Sequence, residues 1–398
     1  MTVAEAAAGR RLPRPARPPP SVGLVVNPIA GIGGRVGLKG SDGPGTVERA
    51  LALGARPEAN RRALEALVRL RETWPAGRPL PGIVAAPGEM GERAAREAGF
   101  DPEVLGAVSG ERTTADDTRR LSAAIVDRGV DLLLVAGGDG TARDVCDALT
   151  GRGVVLGIPA GVKIQSAVFA TGPAAAGELA ARFLAAVRPR TVEREVLDLD
   201  EDAYRAGRIA PRLYGTLRVP AGRLVQGRKS PSPPDEAAAM AVIAADVAER
   251  LVPGRRYVLG PGTTIRAIAD RLGVAKTLVG VDVIVADETG GARLLAADAG
   301  EREILAEVGA GPASLVVTPI GGQGFVLGRG NQQISPAVVC AVGREGIIIV
   351  ATAAKLASLG GRPLVVDSGD PALDAALAGF VRVITGYHEA AVVRLEAA

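Results

Sequence analysis

The segment Gly137–Thr141 combines the features of a phosphate-binding turn with a single carboxylate, Asp139. Its glycines let the backbone approach a phosphate closely, and the N–H groups at the start of a following helix favour negative charge. A carboxylate in such a turn weakens anion binding unless it binds a metal ion or accepts a proton from an attacking hydroxyl. The pattern therefore predicts a phosphoryl-transfer enzyme with Asp139 as the base. The alternative is a turn aspartate that hydrogen-bonds its own backbone, a frequent role of Asp beside Gly.

A second glycine-rich loop, Asn27–Gly43, follows the first apolar run and carries two cations, Arg35 and Lys39. Glycines, cations and a carboxylate in one loop suit a triphosphate and its metal ion, although the spacing is not that of a Walker A loop. Lysine is rare in this arginine-rich chain, which favours a functional role for Lys39 over a flexible surface loop. Lys163, after a later strand, is a further candidate for neutralising phosphate charge. The alternative for it is a solvated lysine.

Four short apolar runs, separated by helical patterns, indicate a parallel sheet that brings these loops together. Ligands of such sheets bind beyond the carboxyl ends of the strands, where both glycine-rich loops fall. The predicted strands are Val22–Val26, Ile83–Ala86, Leu132–Ala136 and Val154–Ile158, and the predicted helices are Thr46–Leu53, Glu58–Glu72, Thr114–Arg128 and Ala174–Val187.

The pattern changes near Pro189, and Arg228–Pro234 is predicted to be an exposed loop. An α/β protein is therefore expected, with a disordered tail at 1–20, a Rossmann-like domain at 21–190 and a mixed α/β domain at 191–398 that completes a cleft with the first. The strands and the helix predicted for the second domain are Tyr257–Gly260, Val281–Ala286, Ser314–Thr318, Ile347–Val350 and Glu236–Leu251.

Composition narrows the classes of function. The net charge is only +3 and no basic run with interleaved aromatics is present, which argues against nucleic-acid binding. No stretch is apolar enough for a membrane span, and the basic, proline-rich start lacks the apolar region of a secretory signal. The separated Cys146 and Cys340 indicate reduced thiols in a cytoplasmic protein. With His388 as the one histidine, a zinc site is poorly supported, and a hard cation such as Mg²⁺ is the expected metal.

The chain resembles the ATP-NAD kinase family, in particular its AcoX-like branch, described as predicted polyphosphate- or ATP-dependent NAD kinases. The resemblance extends over almost all of the chain from Val22 to Leu395. It is carried by Asn27–Gly43, Gly137–Val145, Gly157–Ala170, Tyr204, Leu213–Gly215, Gly260–Thr264 and Pro319–Gln333. It implies a first domain of NAD-kinase type. It also implies transfer of a phosphoryl group to the adenosine ribose 2′-hydroxyl of NAD, giving NADP. The donor would be ATP or inorganic polyphosphate, with Mg²⁺ or another divalent cation.

By the same resemblance, Asp139 orients and deprotonates the attacking hydroxyl. Two groups of residues accompany it. The loop around the base is shaped by Gly137, Gly138, Gly140 and Thr141, and the phosphate-side candidates are Asn27, Gly33, Gly34 and Lys39, joined on chemical grounds by Lys163. We also expect a homo-oligomer.

The chain departs from the family pattern in three respects. One is a missing downstream pair; the others are the loop Ile158–Gly161, which lacks the asparagine of the better-studied branch, and a second half that is more α/β than the all-β domain expected there. The downstream Asn-Glu pair of many NAD kinases has no convincing counterpart, and lipid kinases with the same turn continue it with Asn-Glu where this chain has Arg143 and Asp144. Two alternatives to an NAD kinase stay open: a kinase of another nucleoside or polyol hydroxyl, and a non-catalytic dinucleotide-binding regulator of a catabolic pathway. A carboxylate facing phosphate argues against the regulator, because a pure binder gains nothing from it.

Overall fold

The computed structural model describes residues 19–38, 45–110, 112–162, 164–199, 211–222, 224–225 and 236–398. The predicted loop Arg228–Pro234 and all but the end of the predicted tail at 1–20 lie outside these residues. Two separate sheets and one two-stranded ribbon make up the β structure of the described residues.

The first sheet is parallel and has five strands. They are β1 (Ser21–Val26), β2 (Gly82–Ala85), β3 (Glu103–Val104), β4 (Leu132–Gly137) and β5 (Val155–Pro159). Their order across the sheet is β3-β2-β1-β4-β5. The four strands predicted from apolar runs are confirmed. The prediction succeeded because central parallel strands are buried on both faces, so their sequences are apolar throughout and do not alternate with polar residues. The strand order reverses between β1 and β4, the place where open α/β sheets bind ligands.

Helices cover both faces of this sheet. Their bounds are α1 (Thr46–Ala52), α2 (Ala59–Thr73), α3 (Glu92–Glu97), α4 (Ala115–Asp127), α5 (Asp139–Leu149) and α6 (Pro173–Ala185), with a 3-10 turn at Gly88–Met90. α2, α3 and α6 bury apolar residues against one face, whereas α4 and α5 pack on the other. The predicted start of α4 has a physical cause in a capping box, in which Thr114 and Asp117 bond each other's backbone N–H groups. Gly129, with φ of 90°, follows the end of that helix.

An antiparallel ribbon follows the first sheet in the chain. It consists of β6 (Thr191–Leu199) and β7 (Pro211–Pro220). Val196, Leu217 and Val219 belong to the apolar cluster that also holds α4 and α5, so the ribbon packs with the first half of the chain. The division of the protein into domains at residue 190 remains a prediction.

The second sheet is mixed, as expected for the second half. Its nine strands are β8 (Arg256–Leu259), β9 (Asp282–Ala286), β10 (Ala292–Ala296), β11 (Ala313–Val317), β12 (Phe325–Leu327), β13 (Ile347–Val350), β14 (Leu364–Val366), β15 (Gly379–Gly386) and β16 (Glu389–Ala397), in the order β10-β9-β8-β11-β13-β15-β16-β14-β12. The core of this sheet, from β8 through β11 and β13 to β15, is parallel. β9, β10 and β16 pair with a neighbour in antiparallel fashion.

The remaining helices surround the second sheet. They are α7 (Glu236–Glu249), α8 (Thr263–Arg271), α9 (Glu301–Gly309), α10 (Pro336–Val342), α11 (Ala353–Ala357) and α12 (Pro371–Leu377), with a 3-10 turn at Arg344–Gly346. Within the part of the chain that the structure describes, no helix combines the length and apolar character needed to cross a membrane.

Candidate active site

Asp139 is the first residue of α5, and the Gly138 that precedes it caps the helix. Its carboxylate is held by the chain after β5. Oδ2 accepts a hydrogen bond from the backbone N–H of Gln165 at 2.8 Å, and Oδ1 accepts one from the backbone N–H of Ser166 at 3.0 Å. The side chain is therefore fixed by a second loop rather than by its own turn. A carboxylate at the start of a helix, two residues beyond a buried strand and oriented by two backbone donors, is rigidly positioned.

The ionisation of Asp139 is perturbed. Burial raises the pKa of its carboxyl above the ordinary value, while the hydrogen bonds from Ser166 and Gln165 and the positive charge of Arg329 oppose that rise. A carboxylate whose pKa is raised towards neutrality is a stronger proton acceptor than an ordinary aspartate. The environment of Asp139 thus suits a general base.

Asn27 links the carboxyl end of β1 to the turn that carries Asp139. Its Nδ2 donates to Thr141 Oγ1 at 3.0 Å, and its backbone N–H donates to the carbonyl of Ala136 at 2.9 Å. Thr141 is only 3% exposed. The structure therefore brings two predicted site residues into contact, and the Asn27 amide fixes the start of α5.

Gly137, two residues before Asp139, and Gly140, directly after it, differ in their surroundings. A Cβ at Gly137 would lie 2.4 Å from Thr141 Oγ1, so a side chain is excluded there. A Cβ at Gly140 would meet nothing within 4 Å. Close packing against Thr141 thus requires glycine at position 137, whereas Gly140 leaves open space beside the first turn of α5.

The loop that begins at Asn27 packs against the second half of the chain. A Cβ at Gly34 would lie 1.6 Å from Oε1 of Gln332, whose Nε2 donates to the carbonyl of Gly161 at 3.2 Å. Gly33 lies beside it, and its carbonyl accepts from the N–H of Leu38 at 2.9 Å. Gly33 and Gly34 are therefore at the junction of the two halves of the chain. Two predicted phosphate ligands, Lys39 and Lys163, lie outside the described residues.

A buried ion network crosses the same junction. Arg62 of α2, 7% exposed, donates through Nη1 and Nη2 to the two carboxylate oxygens of Asp367 at 2.9 and 3.1 Å, and Nη1 also reaches the carbonyl of Pro159. Nε of Arg329 lies 3.4 Å from the same carboxylate. Burial lowers the pKa of Arg329 to about 10, and Asp367 and Asp139 oppose that shift. Both guanidinium groups therefore carry charge at neutral pH.

Sequence reasoning missed several of these residues. Gln165 and Ser166 act through backbone N–H groups, for which no side-chain pattern exists. Arg62 carried a weak signal, because it lies on the same helical face as the apolar residues Ala59 and Ala66, where a cation needs a partner. The partner, Asp367, belongs to the loop after β14, more than 300 positions further along the chain.

The described residues do not form a metal site of their own. No group of three or more His, Cys, Asp or Glu side chains among them is placed to hold an ion. Within the described part of the chain, the protein side chains alone therefore do not fit a resident Mg²⁺.

Comparison with known proteins gives a consistent result across the chain. The model of the ATP-NAD kinase N-terminal domain matches residues 22–187, and that of the ATP-NAD kinase C-terminal domain matches residues 253–395. No curated protein matches the chain. One solved structure, "Crystal structure of a putative diacylglycerol kinase from Bacillus anthracis str. Sterne", is 16% identical over 48% of this chain and 68% of that one, with a TM-score of 0.19, too low to bear on fold or substrate. The two family models together span most of both halves, and the chain belongs to the ATP-NAD kinase family.

Proposed function

We propose that the protein is an NAD kinase, which phosphorylates the adenosine ribose 2′-hydroxyl of NAD with ATP or inorganic polyphosphate as donor. The observation that carries the proposal is the carboxylate of Asp139, held at the start of α5 by the N–H groups of Gln165 and Ser166. It stands in a chain of the ATP-NAD kinase family, at the point where the strand order of the first sheet reverses.

The transfer has a simple balance of bonds. The ribose oxygen attacks the terminal phosphorus of the donor while its proton passes to Asp139. The bond between that phosphorus and the bridging oxygen breaks, and its electron pair leaves with ADP or the shortened polyphosphate. Phosphoryl transfer of this kind depends on positioning and on neutralisation of charge more than on covalent chemistry by the protein.

Four of the described site residues have a part in this scheme. Asp139 accepts the proton, and its raised pKa matches that task. Asn27 and Thr141 hold the first turn of α5 in place through their mutual hydrogen bond. Gly140 leaves room for phosphate oxygens next to the N–H groups at the helix start. A divalent cation, where one takes part, would be bound chiefly by the phosphates of the donor, as Mg²⁺ commonly is.

The test is NADP formation by the purified protein. NAD and Mg²⁺ are supplied with ATP in one reaction and with polyphosphate in another, and the product is read by an NADP-specific dehydrogenase. We expect NADP with at least one donor, and the comparison identifies which. A folded protein that yields no NADP with either donor would refute NAD as the acceptor and turn attention to other nucleoside or polyol hydroxyls.

A further inference from the structure

Arg329 is a buried arginine to which the proposed phosphoryl transfer assigns no role. It follows β12 in the segment Gly328–Gln333, and its side chain reaches the first half of the chain, where Nη2 donates to the carbonyl of Thr171 at 3.0 Å. Its guanidinium lies over the ring of Phe325 at 4.7 Å. The residue is 4% exposed. Arg329 is thus a buried cation in the junction between the two halves.

The segments that carry Arg329 also hold the loop that binds Asp139. The backbone N–H of Gly330 donates to the carbonyl of Val162 at 3.1 Å, and Nε2 of Gln323 donates to the carbonyl of Ile164 at 3.1 Å. Ile164 directly precedes Gln165, whose N–H bonds the catalytic carboxylate. The positive charge of Arg329 also opposes the rise that burial causes in the pKa of Asp139. The segment that carries the cation and the loop that holds the proposed base are therefore in direct contact.

The hydrogen bonds of Arg329 are incomplete. A guanidinium carries several N–H donors in a fixed fork. Among the described residues, Nε of Arg329 lies 3.4 Å from Asp367 Oδ2 but makes no hydrogen bond, and Nη2 has the carbonyl of Thr171. The carboxylate nearest to it, Asp367, already accepts from Arg62 through both oxygens. Two buried cations thus share one carboxylate.

Arg62 provides an internal comparison. It belongs to the same network and is buried to a similar extent, but both its Nη groups are engaged by Asp367. Its arrangement is that of a structural ion pair. A buried cation left with unsatisfied donors is unfavourable unless a ligand completes its hydrogen bonds. The difference between the two arginines therefore indicates an anionic ligand at Arg329.

We propose that Arg329 binds the phosphoryl group that is transferred, with its guanidinium donating to the non-bridging phosphate oxygens across from Asp139. This inference rests on the proposed kinase function. The planar fork of an arginine matches two phosphate oxygens, and the transferring phosphoryl group is where such a cation neutralises charge. The second half of the chain would then supply the cation and the first half the base, so that both are needed to assemble the site.

The experiment measures binding of tripolyphosphate by isothermal titration calorimetry, with no acceptor present. Wild type is compared with Arg329→Met and with a matched control, Arg344→Met. Arg344 also donates to backbone carbonyls, those of Ala376 and Ala378, but it contacts no residue of the Asp139 loop in the described structure. Loss of charge-assisted hydrogen bonds is expected to weaken binding roughly 10- to 100-fold in Arg329→Met, and Arg344→Met is expected to bind like wild type.

A second variant keeps the test decisive if Arg329→Met does not fold. Arg329→Lys retains the charge and the apolar stem but loses the fork, and we expect its affinity for tripolyphosphate to fall several-fold. Wild-type affinity in a folded Arg329→Met or Arg329→Lys variant would overturn the inference, as would a wild-type protein that does not bind tripolyphosphate. The readout needs no NAD, so a failure to form NADP would leave the tripolyphosphate result for Arg329 unchanged. Equally, unchanged tripolyphosphate binding in the Arg329 variants would not count against NADP formation by the wild type.

Discussion

Gly137 lies two residues before the proposed base and Gly140 directly after it, and the two glycines offer a pair of substitutions with opposite expected effects. In Gly137→Ala the new Cβ would lie 2.4, 2.5 and 2.7 Å from Oγ1, Cβ and Cγ2 of Thr141. Rotation of the Thr141 side chain cannot relieve this overlap, because the Cβ of Thr141 itself is too close. Its Oγ1 is also bonded by Asn27. Overpacking of this kind costs about 1–3 kcal/mol, and we expect the free energy of unfolding of Gly137→Ala to fall by about 2 kcal/mol.

Gly140→Ala should behave in the opposite way. Gly140 lies inside α5 and is not among the glycines with positive φ, and a Cβ there meets nothing within 4 Å. Ala is favoured over Gly in a helix interior by roughly 0.5–1 kcal/mol, and Gly140 is in the first turn of α5, so the free energy of unfolding should rise by at most about 0.5 kcal/mol. Because the open space at Gly140 is where we place phosphate oxygens, the affinity for the phosphoryl donor should nevertheless decrease.

Urea denaturation followed by circular dichroism measures both stability changes, and calorimetric titration with ATP or tripolyphosphate measures the donor affinity. The expected order of stability is Gly140→Ala, then wild type, then Gly137→Ala. A Gly137→Ala protein as stable as wild type would refute the packing argument at the turn. A Gly140→Ala protein that loses stability would show that the space beside α5 is not open.

Three further predictions concern charged groups. Asp367→Asn leaves Arg62 buried without its counter-charge and should lower the free energy of unfolding by about 3–5 kcal/mol in urea denaturation; an unchanged midpoint would contradict the ion network. Because Asp139 must be ionised to accept a proton and its pKa is raised, kcat/KM should fall with decreasing pH at values above the ordinary 3.8, and a pH–rate profile flat down to that value would argue against a base with a raised pKa. Burial raises the pKa of Asp117, but hydrogen bonds from Ser109, Thr114 and Arg120 outweigh that effect and hold the pKa well below its usual range. Its stabilising effect should therefore be complete above the ordinary pKa of 3.8 and be lost progressively as the pH falls from there through the lowered pKa. Asp117→Ala should destabilise the protein somewhat less at about pH 3 than at about pH 7 in urea denaturation, and an equal effect at both would be inconsistent with the lowered pKa.

The first sheet was predictable because its central strands are buried on both faces. Val22–Val26 and Leu132–Ala136 are unbroken apolar runs, and such runs followed by glycine-rich turns and helices have few other interpretations. The nine-strand order of the second sheet was not predictable. Its neighbours, such as β15 beside β13 and β14 beside β16, are chosen by packing between segments that are not consecutive in sequence.

In the candidate site, too, residues in local sequence patterns were predictable, whereas those placed by tertiary contacts were not. The turn at Asp139 and the loop at Asn27 have local glycine patterns, and the parallel topology places their strands side by side, which explains the contact between Asn27 and Thr141. The hydrogen-bond partners of Asp139, Gln165 and Ser166, have no recognisable sequence pattern. They are backbone N–H groups, and their position depends on how the chain after β5 folds back over α5. Arg329 lies in a segment rich in glycine and amide side chains, and nothing in that local pattern indicates a buried cation. Its charged neighbours, such as Asp367, are brought to it only by the tertiary structure.

The central claim is that Asp139 is the base of an NAD kinase, and one comparison tests it most directly. Turnover of NAD to NADP and affinity for NAD are measured for wild type, Asp139→Asn and Asp147→Asn. Asp147 is the matched control, because its carboxylate lies on the same helix but bonds the hydroxyl of Tyr214. The account predicts that Asp139→Asn binds NAD like wild type but loses turnover by about 10²- to 10⁴-fold, whereas Asp147→Asn stays close to wild type. Wild-type turnover in Asp139→Asn would contradict the account.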